Sequence, residues 1–344
     1  MKYEYLSTEK ELGQFCEQIA SESLIAFDTE FVSEDRYRPD LCLVQVAAGG
    51  KLAVIDPKTM DSLDVFWRLL ASPGHTAIVH AGREEFRFCQ FAIGERPAHW
   101  FDTQIAAGLI GLEYPAAYGT LIHKLLGTSL GKGETRTNWR RRPLSAKQLE
   151  YALQDVLYLE PLYREISTQL DELGRAEWLD AELTSWQDQL EAEQSSSRWR
   201  RVSGISGLSP RNLAIVRELW GWRDREAAKR DIPPRRILRD DLMVEMARRQ
   251  SSDPKNIRAV RDMDRRGVQR HIPAIAACIE QALELPKNKC PKLSRRAARP
   301  PFNLLGQFLS TAVNSMARSA RVAPGLVGTV QDVRDLIAHH LGYW

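Results

Sequence analysis

Two acidic residues spaced two apart, Asp28 and Glu30, stand in Phe27-Asp28-Thr29-Glu30-Phe31 at the end of a short apolar run. In an extended chain alternate side chains share a face, so the two carboxylates would lie side by side. Paired anions resist ionising together unless a cation sits between them. Oxygen ligands favour a hard divalent ion such as magnesium or manganese over zinc. A strand end that merely exposes two acids is the plainer reading of the same residues. A second pair, Tyr151 and Asp155, is four apart in a helical pattern, which brings a phenol and a carboxylate to one helix face. The phenol could orient a water while the carboxylate binds metal, or Tyr151 could simply pack inward.

Between these pairs lies His80-Ala81-Gly82-Arg83-Glu84-Glu85-Phe86, a strand-to-helix turn. Acids in the first turn of a helix are favoured by its dipole, so Glu84 and Glu85 are structural by default, and His80 reads as a satisfied turn histidine. The basic stretch Thr135 to Arg142, which holds Trp139, Arg140 and Arg141, keeps two readings open. It could touch phosphates and stack a base, or it could be a solvated loop.

The elements that must position these groups follow from periodicity. Ser23 to Phe27, Leu41 to Ala47 and Leu52 to Ile55 are short apolar runs separated by polar or glycine-containing breaks, which suggests an antiparallel meander. Helical segments at Leu63 to Leu70 and Arg83 to Phe91 flank a strand at Thr76 to Val79, and another short strand is expected at Trp100-Phe101. Ser145-x-x-Gln148 is a capping box opening one long helix to Leu173, apolar at Leu149, Ala152, Leu153, Val156, Leu157, Leu159 and Leu162. An α/β domain is therefore expected first. Ser195-Ser196-Ser197 marks a linker, and from the expected N-cap Ser209 the pattern is all-helical, with joints at Pro233-Pro234, Pro254 and Pro273. After a basic joint from Pro286 to Pro301 comes a last helical group.

With 43% hydrophobic and 27% charged residues the chain is neither disordered nor membrane-like. It contains no apolar run of membrane-spanning length, and its opening MKYEYLSTEKEL is unlike a signal peptide, so a cytoplasmic protein is expected. Five scattered cysteines without a C-x-x-C pair argue against a zinc site or a disulfide framework. The small net charge conceals an asymmetry. Residues 1 to 194 hold 19 Lys and Arg against 31 Asp and Glu, whereas residues 195 to 344 hold 29 against 14. A chain that binds cations in one half and phosphates in the other has this distribution. The densest basic region comprises Arg248, Arg249, Arg258, Arg261, Arg265, Arg266 and Arg270. Its alternative is a solvated helical face.

The segments LIAFDTEF, DLCLVQVA, KLAVIDP, IVHAGREEF, FDTQIAA, GETRTNWRRRPLS and EYALQDVLYL, in this order across roughly residues 20 to 165, resemble the four-carboxylate exonucleases called DEDD, in particular ribonuclease D. Leu208 to Leu285 resembles the HRDC domain of helicases and ribonuclease D, and residues 300 to 344 its weaker second copy. The resemblance implies an RNase H-like α/β exonuclease domain with a mixed sheet at 1–194, an all-α HRDC domain at 208–288 and a second HRDC-like helical domain at 300–344.

Carried over residue by residue, it makes Asp28, Glu30 and Asp155 metal ligands and Tyr151 the tyrosine of the Tyr-containing branch. Glu85 falls where the family usually has Asp, one carbon longer by roughly 1.5 Å. Asp102 matches a family motif but sits where a helix N-cap would, a structural role. The implied activity is 3′-to-5′ exoribonuclease cleavage with two ions, Mg2+ or Mn2+, releasing nucleoside 5′-monophosphates from structured RNA such as precursor tRNA. RNA contacts are expected at Arg140, Arg141, Arg248, Arg249, Arg258, Arg261, Arg265 and Arg266, from a monomer. The rival readings are a DNA 3′-to-5′ exonuclease and an RNA-binding protein weakened in catalysis by Glu85.

Overall fold

The structure, a computed structural model, describes residues 1–131, 137–195, 198–263, 266–293 and 302–343. The chain divides into two compact units. One comprises Met1–Val32, Leu41–Asp188 and Pro300–Trp344, the other Ser33–Asp40 and Gln189–Arg299.

The first unit is built on six strands: β1 (Glu4–Leu6), β2 (Leu24–Val32), β3 (Asp40–Ala48), β4 (Lys51–Ile55), β5 (Thr76–Val79) and β6 (His99–Asp102), in the order β1-β4-β3-β2-β5-β6. The sheet is mixed: β3 and β4 are antiparallel, whereas β1 with β4, β2 with β5, and β5 with β6 are parallel. Central β2 is buried on both faces at Ile25, Ala26 and Phe27, as a strand covered on two sides requires. The Phe27 ring meets Phe66, Trp67 and Trp100 edge-on at 5.8–6.1 Å between centroids, an arrangement that anchors the residue preceding Asp28.

Against this sheet lie α1 (Glu9–Ile19), α2 (Asp64–Ala71), α3 (Arg83–Ile93), α4 (Thr103–Leu109), α5 (Tyr118–Leu126), α6 (Ala146–Leu157), α7 (Leu159–Glu172) and α8 (Ala176–Ser195), the unit boundary falling inside α8. The capping box at Ser145 and Gln148 opens α6 as its sequence predicts. Three expectations need correction. Asp28 and Glu30 lie within β2, which runs on to Val32, and not at a strand end. The strand β1 was not anticipated, because three residues are too few to show a period. The single helix expected from Ser145 to Leu173 is two helices broken at Tyr158 (φ −103°, ψ 2°). Pro161 has no N–H to offer the Leu157 carbonyl, and its ring crowds that group. The Tyr158 N–H turns instead to the Tyr118 hydroxyl at 3.2 Å.

The second unit holds α9 (Pro210–Arg230), α10 (Pro234–Ile237), α11 (Asp240–Arg249), α12 (Pro254–Arg258), α13 (Arg266–Gln269) and α14 (Ile272–Glu284). Ser209 caps α9 by accepting from the Asn212 N–H at 3.2 Å, and prolines occupy the first turns of α9, α10, α12 and α14, where their missing N–H costs nothing. Ile215, Leu219, Met243, Met263, Ile275 and Ile279 form its fully buried centre. The segment 33–40 joins this unit through Tyr37, which packs on that core and donates to Asp224 Oδ2 at 3.0 Å.

The remaining helices, α15 (Asn303–Ser319), α16 (Pro324–Val327) and α17 (Val330–His340), belong to the first unit. Buried Arg175 donates to the carbonyls of Leu109, Ala320 and Arg321, joining the C-terminal ends of α4 and α15. The Ala323 N–H donates to Gly108 O at 2.7 Å, and a Cβ on Gly108 would come within 2.5 Å of Leu326. All five cysteines are free thiols. Among the described residues no helix is long and apolar enough to cross a membrane.

Candidate active site

Asp28 and Glu30 project from β2, and α6 packs on β2 and β4 so that Asp155 reaches the same point. One oxygen from each of the three carboxylates lies within 4.8 Å of the others, and no other such group of His, Cys, Asp or Glu occurs among the described residues. Glu85, in the first turn of α3, is buried and accepts from Thr29 Oγ1 at 2.5 Å, the residue between the two β2 acids. Glu84 points elsewhere and pairs with Arg87 at 2.6 Å. Neighbouring helical residues diverge by about 100°, so one of the two acids had to leave the site.

The turn that delivers Glu85 is held by Asp102, whose carboxylate accepts from the N–H groups of Ala81 (3.0 Å), Gly82 (2.9 Å) and Gln104 (2.8 Å). Ala81 takes φ 55°, a conformation that needs this support. Asp102 thus has the structural role expected of it. So does His80, whose Nδ1 meets Thr103 Oγ1 at 2.9 Å and whose Nε2 meets Ala116 O at 3.1 Å.

Burial raises every acid of this cluster above its usual range, and for Asp28 and Glu30 the charges of the neighbouring acids add to it. Asp28 is pushed up by burial and by the charges of Glu85, Asp155 and Glu30. Burial, then Asp155 and Glu85, lift Glu30 to about 8. Glu85 reaches about 7 through burial, and Asp155 about 6 through burial offset by a hydrogen bond from Tyr151. Buried Glu85 and half-buried Asp28, Glu30 and Asp155, with no lysine or arginine among the groups that shift them, are a donor set suited to hard divalent cations.

A stability prediction follows. Because the folded protein holds these protons more tightly than the unfolded chain, their contribution is complete near the unfolded values of 3.8 to 4.5 and is lost as pH rises through about 6 to 8. In chelator the melting temperature should fall over that window. Mg2+ or Mn2+, replacing the protons, should flatten the decline. Parallel curves with and without metal would mean the cluster holds no cation.

In the basic stretch before α6, Trp139 and Arg142 depart from both sequence readings. Trp139 is 6% exposed and packs beside Tyr151, so its ring is not offered to a base. Arg142 is ion-paired with buried Asp56. Arg141 is exposed and Arg140 half-buried. Thr135 and Arg136 lie outside the described residues, as do Arg265 and much of the joint Pro286 to Pro301. In the helical unit Arg248, Arg258 and Arg261 are exposed without an ion-pair partner among the described residues, Arg249 pairs with Glu245 at 2.8 Å, and Arg266 opens α13.

Two contributors escaped the sequence reading. Thr29 carries no motif signal of its own, yet its hydroxyl donates to Glu85. Tyr118 donates to Gln154 O at 3.3 Å, accepts from the Tyr158 N–H, and lays its ring 5.4 Å from His80. No local pattern announces a tyrosine that caps a helix 40 residues away.

Comparison with known proteins identifies the family. A family model described as 3′-5′ exonuclease matches residues 3–171, and the HRDC domain model matches residues 212–279. Ribonuclease D of Acidiphilium cryptum is 31% identical across 96% of this chain and 85% of its own length. That of Sphingobium indicum is 31% identical across 97% and 87%. The crystal structure of Escherichia coli RNase D, described as an exoribonuclease involved in structured RNA processing, superposes with a TM-score of 0.86 at 26% identity, covering 99% of this chain and 91% of that one.

Proposed function

Because the chain belongs to the ribonuclease D family and is a 3′-to-5′ exoribonuclease, we propose that it removes nucleotides singly from structured RNA by two-metal-ion hydrolysis at Asp28, Glu30, Glu85 and Asp155. The observation that carries this reading is the convergence of Asp28, Glu30 and Asp155 within 4.8 Å. Two divalent ions, Mg2+ or Mn2+, would supply charge to activate the attacking water and to stabilise the departing 3′ oxygen. Asp28, Glu30 and Asp155 would hold them, with Glu85 exchanging the Thr29 hydroxyl for a ligand role through a rotamer change. Tyr151, which donates to Asp155, would orient the attacking water in line with the scissile bond. The product of water attack with loss of the 3′ oxygen is a nucleoside 5′-monophosphate.

Residues 1–194 form the exonuclease domain in this proposal, 208–288 an HRDC domain and 300–344 a second HRDC-like module. Arg140, Arg141, Arg248, Arg249, Arg258, Arg261, Arg265 and Arg266 would bind RNA phosphates, with precursor tRNA as the substrate and a cytoplasmic monomer as the working form.

Matched RNA and DNA strands with free or blocked 3′ ends, assayed with and without Mg2+, test the reading. Cleavage confined to free RNA ends with metal is expected, and reversing the charge of Arg248, Arg258 and Arg261 should make binding of structured RNA less salt-dependent, by about one unit of log–log slope per lost phosphate contact. Preference for DNA would make it a proofreading-type nuclease. RNA binding without cleavage would leave a weakened enzyme.

A further inference from the structure

All five N–H groups of Arg142 are engaged. Nε donates to Asp56 Oδ2 at 2.5 Å, and Nη2 donates to Asp56 Oδ1 at 2.6 Å and to Cys42 O at 2.7 Å. Nη1 donates to Trp139 O at 2.7 Å and to Arg141 O at 3.1 Å. Asp56 follows β4, is 1% exposed, and accepts further from the Tyr5 hydroxyl at 2.6 Å and the Lys58 N–H at 2.9 Å. A side chain so saturated has no donor left for an RNA phosphate. It fastens the segment before α6 to β3 and β4, and a second tie runs from Gln148 Nε2 in α6 to Thr137 Oγ1 at 3.0 Å.

The fastened segment carries Trp139. Its ring is buried with Cys42, Leu43, Val54, Ala152 and Leu153, and its centroid lies 6.2 Å from that of Tyr151 at 33°. Tyr151 itself is only partly buried against that cluster, so the indole forms a wall on one side of the phenol.

We propose that Arg142 and Asp56 are positioning residues: their pair sets the seat of Trp139 and thereby the place of the Tyr151 hydroxyl above Asp155. This deepens the proposed function and rests on Tyr151 acting there on the attacking water. A fork of five donors does what one ammonium cannot, because a lysine at 142 keeps the charge but cannot reach Asp56, Cys42 O and Trp139 O together. A small displacement suffices, since errors of about 1 Å in a reacting group can cost about 100-fold in rate.

The test measures kcat, KM, Mg2+ dependence and melting temperature for Arg142→Lys, Tyr151→Phe and the double variant. Arg142→Lys should lower kcat by about 10- to 100-fold, with KM and Mg2+ dependence within about twofold of the parent. The double variant should be no slower than Tyr151→Phe beyond about twofold, because a ring without its hydroxyl has nothing further to lose by moving. Losses that multiply would make the pair a structural clamp and overturn the inference. A slow Tyr151→Phe beside a normal Arg142→Lys overturns it alone, while a fully active Tyr151→Phe overturns both it and the role given to Tyr151. Should Arg142→Lys fail to fold, Trp139→Phe leaves the ion pair intact and must show the same non-multiplying loss.

Discussion

Asp155→Asn should lose cleavage by at least about 1,000-fold while the protein folds and binds RNA nearly as before. Removing one carboxylate from a metal pair forfeits several kcal/mol of transition-state stabilisation, and each 1.4 kcal/mol is a factor of about ten. The amide keeps an acceptor for the Tyr151 hydroxyl, so the phenol need not move. In chelator the variant should melt no lower than the parent, because one of the crowded acids that repel Asp28 and Glu30 has become neutral. Asp28→Asn should behave alike, since Asp28 lies beside the same three acids. Activity in Asp155→Asn within tenfold of the parent would sink the metal assignment.

The second large effect belongs to Glu85, where the sequence resemblance implies an Asp, one carbon shorter. Glu85→Ala should lose most activity and some stability, because the buried Thr29 hydroxyl would lose its acceptor, at a cost of about 1–3 kcal/mol. Glu85→Gln separates the two losses. Its amide oxygen still accepts from Thr29, so in chelator melting should be no lower than the parent, while in metal the rate falls. Glu85→Asp should keep or raise activity, the shorter acid approaching the position usual in the family. Glu84→Ala should do little, since only a partly exposed pair with Arg87 is lost, about 1 kcal/mol at most. Full activity in both Glu85→Ala and Glu85→Gln would require other groups to hold the second ion.

Much of the site is legible in the sequence because its logic is local. The alternation of a strand brings Asp28 and Glu30 to one face, the four-residue repeat of a helix brings Tyr151 and Asp155 to another, and the caps Ser145 and Ser209 announce α6 and α9 from side chains bonding three residues ahead. The family was legible only as a resemblance, carried by the motif segments from LIAFDTEF to EYALQDVLYL in their order along the chain. A proline four residues after Leu157 also spelled the break at Tyr158, a signal outweighed by continuous apolar periodicity.

What tertiary structure alone decided is every pairing closed across long stretches of chain. Thr29 takes Glu85 56 residues away, and Asp56 takes Arg142 86 residues away. Those two contacts give Thr29 a hold on Glu85 and fasten a basic loop beside Tyr151. Arg175, bonded to carbonyls 145 and 146 residues on, seats α15 to α17 on the sheet's own unit. Composition and periodicity report which face of an element is apolar, but not which distant element covers it. A guanidinium or hydroxyl reads the same in sequence whether it meets water or a buried carboxylate, and only the folded chain distinguishes the two.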